Sequence, residues 1–119
     1  MEKNEKSVTK NIEYLNKIVD VEIDRPLASL HPTHGFVYEL NYGFIPNTVS
    51  GDGEEIDAYV LGEHKPLKTF RGKVIAIVHR TEEDDDKLVV TREDRNYTNE
   101  QIEVLVEFQE QWKKHIIVR

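Results

Sequence analysis

The run "SGDGEEIDAYV" at residues 50–60 places Asp52, Glu54, Glu55 and Asp57 within six positions and then passes into an apolar, β-prone segment. Four like charges this close must be offset by water or by a cation. A second acidic run, "TEEDDDK" at 81–87, links "KVIAIVHR" to "KLVVT". If the two runs meet at one rim of the fold, their carboxylates form an all-oxygen donor set. Such a set suits hard cations, Mg²⁺, Mn²⁺ or Ca²⁺, rather than zinc. An EF-hand loop starting at Asp52 is excluded, because its fifth position is Ile56 and its obligatory glycine is Asp57.

The complementary chemistry is basic and phenolic. Arg25 follows a strand end, Tyr42 lies in "NYGFI", Arg80 precedes the second acidic run, Lys87 closes it, and Lys113 and Lys114 end the expected helix. Cation-binding carboxylates rimmed by Arg, Lys and Tyr donors describe a pocket for a phosphate ester or anhydride. Each piece has a plainer explanation. An acidic turn is often only solvated, Gly51 and Gly53 are what a tight turn needs, and terminal lysines favour a helix dipole. The five histidines show no metal-ligand spacing and receive no role.

The elements that must position these residues are mostly strands. "NKIVDVEID" is rich in β-branched residues, "RPLASLHPTHG" is a loop, and "FVYEL" and "YGFI" read as short strands with a kink at Gly43. "DAYVLG", "KVIAIVHR" and "KLVVT" follow as strands. The period then changes: Thr98 and Gln101 form a capping box ahead of a helical apolar face of Ile102, Leu105, Phe108 and Trp112. Five or six consecutive strands and one helix predict a mainly β (α+β) fold, a small antiparallel OB-like barrel with a C-terminal helix packed against it.

Composition bounds the rest. With 119 residues, 38% hydrophobic and 33% charged, the chain predicts a single domain over 1–119 with a loose tail over 1–11. A net charge of −7 argues against nucleic-acid or anionic-membrane partners. The absence of cysteine excludes disulfides and thiolate chemistry and fits a cytoplasmic setting. "MEKNEKSVTK" has no apolar signal region, and no window approaches a membrane span.

From "KIVDVEIDRP" to "FQEQWKK" the chain resembles the soluble, Mg-dependent inorganic pyrophosphatases of the small β-barrel family, as a short, divergent member. "DGEEID" matches their triple-aspartate signature at Asp52 and Asp57, with Glu54 at the second position. "RTEEDDDKLVV" resembles their second acidic loop, which puts Asp85 and either Glu82 or Glu83 at metal positions and Lys87 at a phosphate position. The resemblance further implies Glu22 as a metal-linked glutamate, Tyr42 and Arg25 as phosphate ligands, and Trp112–Lys113 in place of a tyrosine–lysine pair. It implies hydrolysis of pyrophosphate to two phosphates by a metal-bound hydroxide. Two or more Mg²⁺ ions would be needed, Mn²⁺ being an open alternative, with Asp57 and Glu54 as the catalytic acids, Glu54 holding or deprotonating the water. It also implies a homo-oligomer. Glu54 and Trp112 depart from the family pattern and motivate a second expectation, a weak or silent metal- and phosphate-binding module.

Overall fold

The computed structural model describes residues 11–50 and 53–119. Six strands and one α-helix follow one another: β1 (Ile18–Arg25), β2 (Asn41–Ile45), β3 (Ile56–Val60), β4 (Thr69–Arg80), β5 (Asp85–Thr91), α1 (Asn99–Glu110) and β6 (His115–Val118). The sheet order is β1-β2-β3-β5-β4-β6, and β1 also pairs with β4. That extra pairing closes the first five strands into a ring, which removes their open edges. The long β4 makes this possible. Its first residues, 69–73, pair with β1 and its last, 77–80, pair with β6.

The β3–β5 pairing is parallel and the others are antiparallel. Strand β6 was not expected from the sequence, where "HIIV" follows the lysines directly. "FVYEL" was expected to be a strand but forms only an isolated bridge, Val37 to Leu30. Gly43 sits where β2 passes close to β1: a Cβ there would lie 1.8 Å from the Glu22 carbonyl oxygen. A bulge in β1 between Ile23 and Arg25 accompanies the crossing. The β4–β5 hairpin turns through Asp84 at φ 53°, a left-handed conformation that Asp tolerates.

Two apolar layers result from the two-residue period of the strands. Ile56, Ala58, Val60, Leu88 and Val90 belong to a cluster with Val19, Val21 and Ile77, inside the ring. Tyr59, Val89 and Val78 alternate with these and pack instead against Ile102, Val106 and Phe108 of α1. The capping box is formed: Gln101 N–H donates to Thr98 Oγ1 (3.1 Å) and Thr98 N–H donates to Gln101 Oε1 (2.9 Å). Trp112, expected on the helix's apolar face, lies beyond the helix end and is 63% exposed.

Residues 1–10 of the expected tail lie outside the described residues, whereas Asn11 at its boundary is buried and donates to Asp86 (2.7 Å). Asp86 also meets buried His79 at 2.6 Å. Among the described residues no helix is long and apolar enough to cross a membrane.

Candidate active site

Strand parity and register bring the chemistry together. Residues two apart on a strand share a face, so Asp57 shares that of Tyr59, Arg80 that of Val78, and Asp85 and Lys87 that of Val89, the face covered by α1. In register, Asp57 lies opposite Lys87, Arg80 opposite Asp85, and Tyr42 opposite Tyr59. The result is a cavity of about 990 Å³ between the sheet and the end of α1. Arg25, Tyr42, Asp57, Lys87 and Lys113 line it, five of the residues expected from sequence.

Lys87 is the hub. Its Nζ donates to Asp57 Oδ2 at 2.6 Å and to Asp85 Oδ2 at 2.9 Å, and lies 5.8 Å from the centre of the Tyr42 ring. Burial works against its charge, but the Asp57 and Asp85 carboxylates outweigh that and raise its pKa. Tyr42 is pushed well above the usual phenol range, first by burial and then by the Asp57 charge, so it remains a protonated donor.

Arg80 forms the second centre. Its Nε and Nη2 donate to the two oxygens of Glu110 at 3.0 and 2.8 Å, and its Nη1 reaches Glu83 (3.5 Å) and Asp85 (3.9 Å). Glu110 also accepts from Tyr59 Oη (2.6 Å); Gln109 Nε2 donates to that hydroxyl and Tyr38 Oη donates to Gln109 Oε1, both at 2.8 Å. Burial alone would raise the Glu110 pKa; the Arg80 hydrogen bonds and charge bring it below the usual carboxylate range.

The remaining acids are distributed differently. Glu83 pairs with Lys113, which lowers its pKa, whereas Glu82 pairs with Lys114 at 3.5 Å on the surface. Glu54 is exposed in the turn before β3, and Glu22 is exposed on β1; neither lines the cavity. Asp52 lies outside the described residues. Asp24, which has no role in the sequence reading, does line the cavity; its pKa is raised mainly by burial, with the Asp57 and Glu55 charges adding.

From sequence Arg80 is only one of several basic donors, and Glu110 has no role at all. Both carried a signal. Arg80 falls opposite Asp85 across the hairpin, and Glu110 follows Ile102 and Val106 at four-residue spacing, so it projects from a buried helical face and requires a partner.

The donor chemistry suits a hard cation, since one oxygen each from Asp57 and Asp85 converges on the point held by the Lys87 ammonium. Among the described residues no three acids or histidines are grouped to hold an ion. Mg²⁺ does not require such a cage: one or two carboxylates with water and phosphate oxygens suffice.

A family model described as inorganic pyrophosphatase matches residues 4–117. Over 94 residues the chain is 35% identical to the inorganic pyrophosphatase of Neisseria meningitidis serogroup A, covering 74% of this chain and 50% of that protein. Over 81 residues it is 31% identical to that of Saccharolobus solfataricus, covering 66% and 44%. The crystal structure of inorganic pyrophosphatase from Ehrlichia chaffeensis shares the fold, with a TM-score of 0.63 at 17% identity over 85% of this chain and 84% of that one. The chain spans about half the length of the curated relatives it matches. With the family model covering nearly its whole length, and a relative at 35% identity, the chain belongs to the inorganic pyrophosphatase family.

Proposed function

We propose that the chain hydrolyses inorganic pyrophosphate to two phosphates with Mg²⁺ as cofactor. The observation that carries this is the convergence of Asp57 and Asp85 on Lys87, Asp57 and Lys87 lining a cavity that also presents Arg25, Tyr42, Arg80 and Lys113. Family membership implies a divalent-metal cofactor in general. Asp57 and Asp85 are the residues we expect to hold it, joined by Asp52 from the same signature. Glu83 is a better companion for Asp85 than Glu82, because Arg80 touches both Glu83 and Asp85. Glu22 has less support as a ligand, being exposed and off the cavity. When bound, Mg²⁺ would neutralise phosphoryl charge and make its water more acidic.

The side chains perform the rest. Lys87 and Arg80 neutralise one phosphate group deep in the cavity, while Arg25 and Lys113 receive the other. Tyr42, held protonated, donates to a phosphoryl oxygen. Attack by water on one phosphorus forms a new P–O bond in line with the bridging oxygen as the bridging bond breaks. The water proton needs a carboxylate acceptor at the cavity wall, and Asp57 is the acid best situated for it. Glu54, the other acid expected to handle the water, is exposed in the turn before β3 and outside the cavity lining, and is expected to contribute less. Charge growing on the leaving phosphate falls to the lysines and arginines.

Release of phosphate from pyrophosphate in the presence of Mg²⁺ tests the proposal. Asp57→Asn should cost about a hundredfold or more in kcat and Glu54→Gln much less; no release above background by the unaltered chain would end the hydrolase reading. A second reading, a pyrophosphate-binding module with little turnover, is favoured by one feature. Asp57, Asp85, Glu83 and Glu110 are each already matched by a protein cation. Tight pyrophosphate binding without turnover would establish it. A homo-oligomer, and the absence of nucleic-acid or membrane partners, are carried with the proposal as expectations.

A further inference from the structure

Pyrophosphate would occupy only the charged end of the cavity. From Lys87 an aromatic series leads outward: Tyr42, then Tyr38 (ring centres 5.5 Å apart), Phe36 (5.4 Å further) and Trp112 (5.6 Å from Phe36). His31 lies beside Phe36, its ring centre 4.8 Å away and its plane tilted by 37°. Tyr38, Tyr42, Phe36, His31 and Trp112 all line the same cavity as Lys87 and Arg80. At the outer end the Trp112 indole is 63% exposed, just past the helix end and next to Lys113. A large exposed ring facing a cavity is costly to leave in water. The cavity therefore has two chemistries, cationic inside and aromatic at the mouth, and a volume near the upper end of ordinary small-molecule sites.

We infer that the mouth is a base-stacking subsite, and that the cavity takes a nucleoside 5′-diphosphate, its anhydride among Lys87, Arg80, Lys113 and Arg25 and its base on Trp112 and Phe36. This rests on the proposal that the cationic end binds a phosphoanhydride, and it extends that proposal to the group the anhydride carries. Planar bases stack on aromatic faces whatever their hydrogen-bonding edge, so the subsite favours nucleotides as a class over bare pyrophosphate. His31 strengthens the platform in its neutral form. Its Nδ1 accepts from the Thr33 and His34 backbone N–H groups at 3.1 Å each, which holds the ring in place.

Trp112 is the only tryptophan, so its fluorescence reports the subsite directly. The full chain is titrated with ADP, adenosine and pyrophosphate, with and without Mg²⁺. ADP should quench the emission saturably, and pyrophosphate should bind with little quenching. Trp112→Ala should lower the ratio of ADP to pyrophosphate affinity about tenfold, and Trp112→Phe should keep it within about threefold, as expected for stacking. Those affinities are measured by calorimetry, since neither variant keeps the indole. Far-ultraviolet dichroism checks that both variants are folded, which their exposed site makes straightforward.

The inference is overturned if ADP binds without disturbing Trp112, if the affinity ratio is unmoved by Trp112→Ala, or if the ligand-free protein already shows the emission of a covered indole. If neither ADP nor pyrophosphate binds, the inference and the anhydride reading fall together. Quenching by ADP in a protein that releases no phosphate from pyrophosphate would uphold the stacking subsite and refute only the hydrolase.

Discussion

Arg80 grips Glu110 with two parallel hydrogen bonds, 3.0 and 2.8 Å, in a place where the glutamate has no solvent exposure and the arginine only 11%. The pair ties the end of β4 to the last turn of α1, the two elements that enclose the cavity. Removing one partner strands the other's charge in the interior, which typically costs about 3–5 kcal/mol. Arg80→Met is therefore expected to be severely destabilising, and Arg80→Met with Glu110→Gln to recover much of the loss. Urea unfolding of the four-member cycle measures this. An additive double variant would show that the ions are not coupled.

The same pair sets an acid limit. Because the folded Glu110 pKa lies below its usual value of 4.5, its contribution is present above that pH and is lost as pH falls through the lower folded value. Glu110→Gln is expected to flatten the loss of stability between neutral pH and acid. Unfolding free energies collected from pH about 7 down to about 3 test it, and an unchanged slope would assign acid sensitivity to other carboxylates.

His115, at the start of β6, makes a 2.7 Å contact through Nε2 with Glu103 of α1. Burial works to lower its pKa, but the Glu103 hydrogen bond and charge reverse this and raise it above 6.5. The stabilisation is thus fully present below 6.5 and fades as pH rises through the folded value. With Glu103 nearly half exposed, it is worth no more than about 1 kcal/mol. Glu103→Gln should lower the His115 pKa, leaving the Lys113 carbonyl and the Glu110 charge to oppose burial. A proton NMR titration reads this, and an unshifted resonance would refute it.

Gly43→Ala should be among the most damaging single changes. The new methyl would meet the Glu22 carbonyl oxygen, the Glu22 carbonyl carbon and the Ile23 Cα, all backbone atoms that cannot rotate away. Forcing β1 and β2 apart is expected to cost about 3 kcal/mol or more. Chemical unfolding measures it, and a loss under about 1 kcal/mol would mean that the strands separate easily.

The sequence carried most of the frame and part of the site. Periodicity exposed β1, β3, β4 and β5, and "TNEQ" marked the helix start, because local pattern fixes these elements. The parallel β3–β5 pairing is a long-range choice with no local mark, although it is what sets Asp57 beside Lys87. Tyr42, Asp57 and Lys87 stood out because their residue types suit phosphate chemistry. Asp24 and Glu110 did not, and Arg80 stood out only as one more basic donor, because their part depends on strand parity and on a helix face that only packing orients. "FVYEL" reads as a strand by propensity yet is irregular, its aromatic rings being spent on the cavity wall and its backbone left mostly outside the sheet.

Lys87 offers the sharpest test of the metal reading, because it occupies the point where Asp57 and Asp85 converge. Its ammonium is raised in pKa and stays charged at neutral pH, so a divalent ion seeking both carboxylates must compete with it. Lys87→Gln removes that competitor and leaves two carboxylates facing each other. Without metal the variant is expected to lose stability by about 2 kcal/mol or more, because no ammonium then stands between the two carboxylates. Added Mg²⁺ should restore much of this loss, giving a larger rise in Tm than in the unaltered protein. Calorimetric titration with Mg²⁺ alone should show tighter binding, while the proposed pyrophosphate hydrolysis should fall by about a hundredfold, Lys87 being its expected phosphate-binding cation. Weaker or unchanged Mg²⁺ binding in Lys87→Gln would mean that Asp57 and Asp85 do not share an ion.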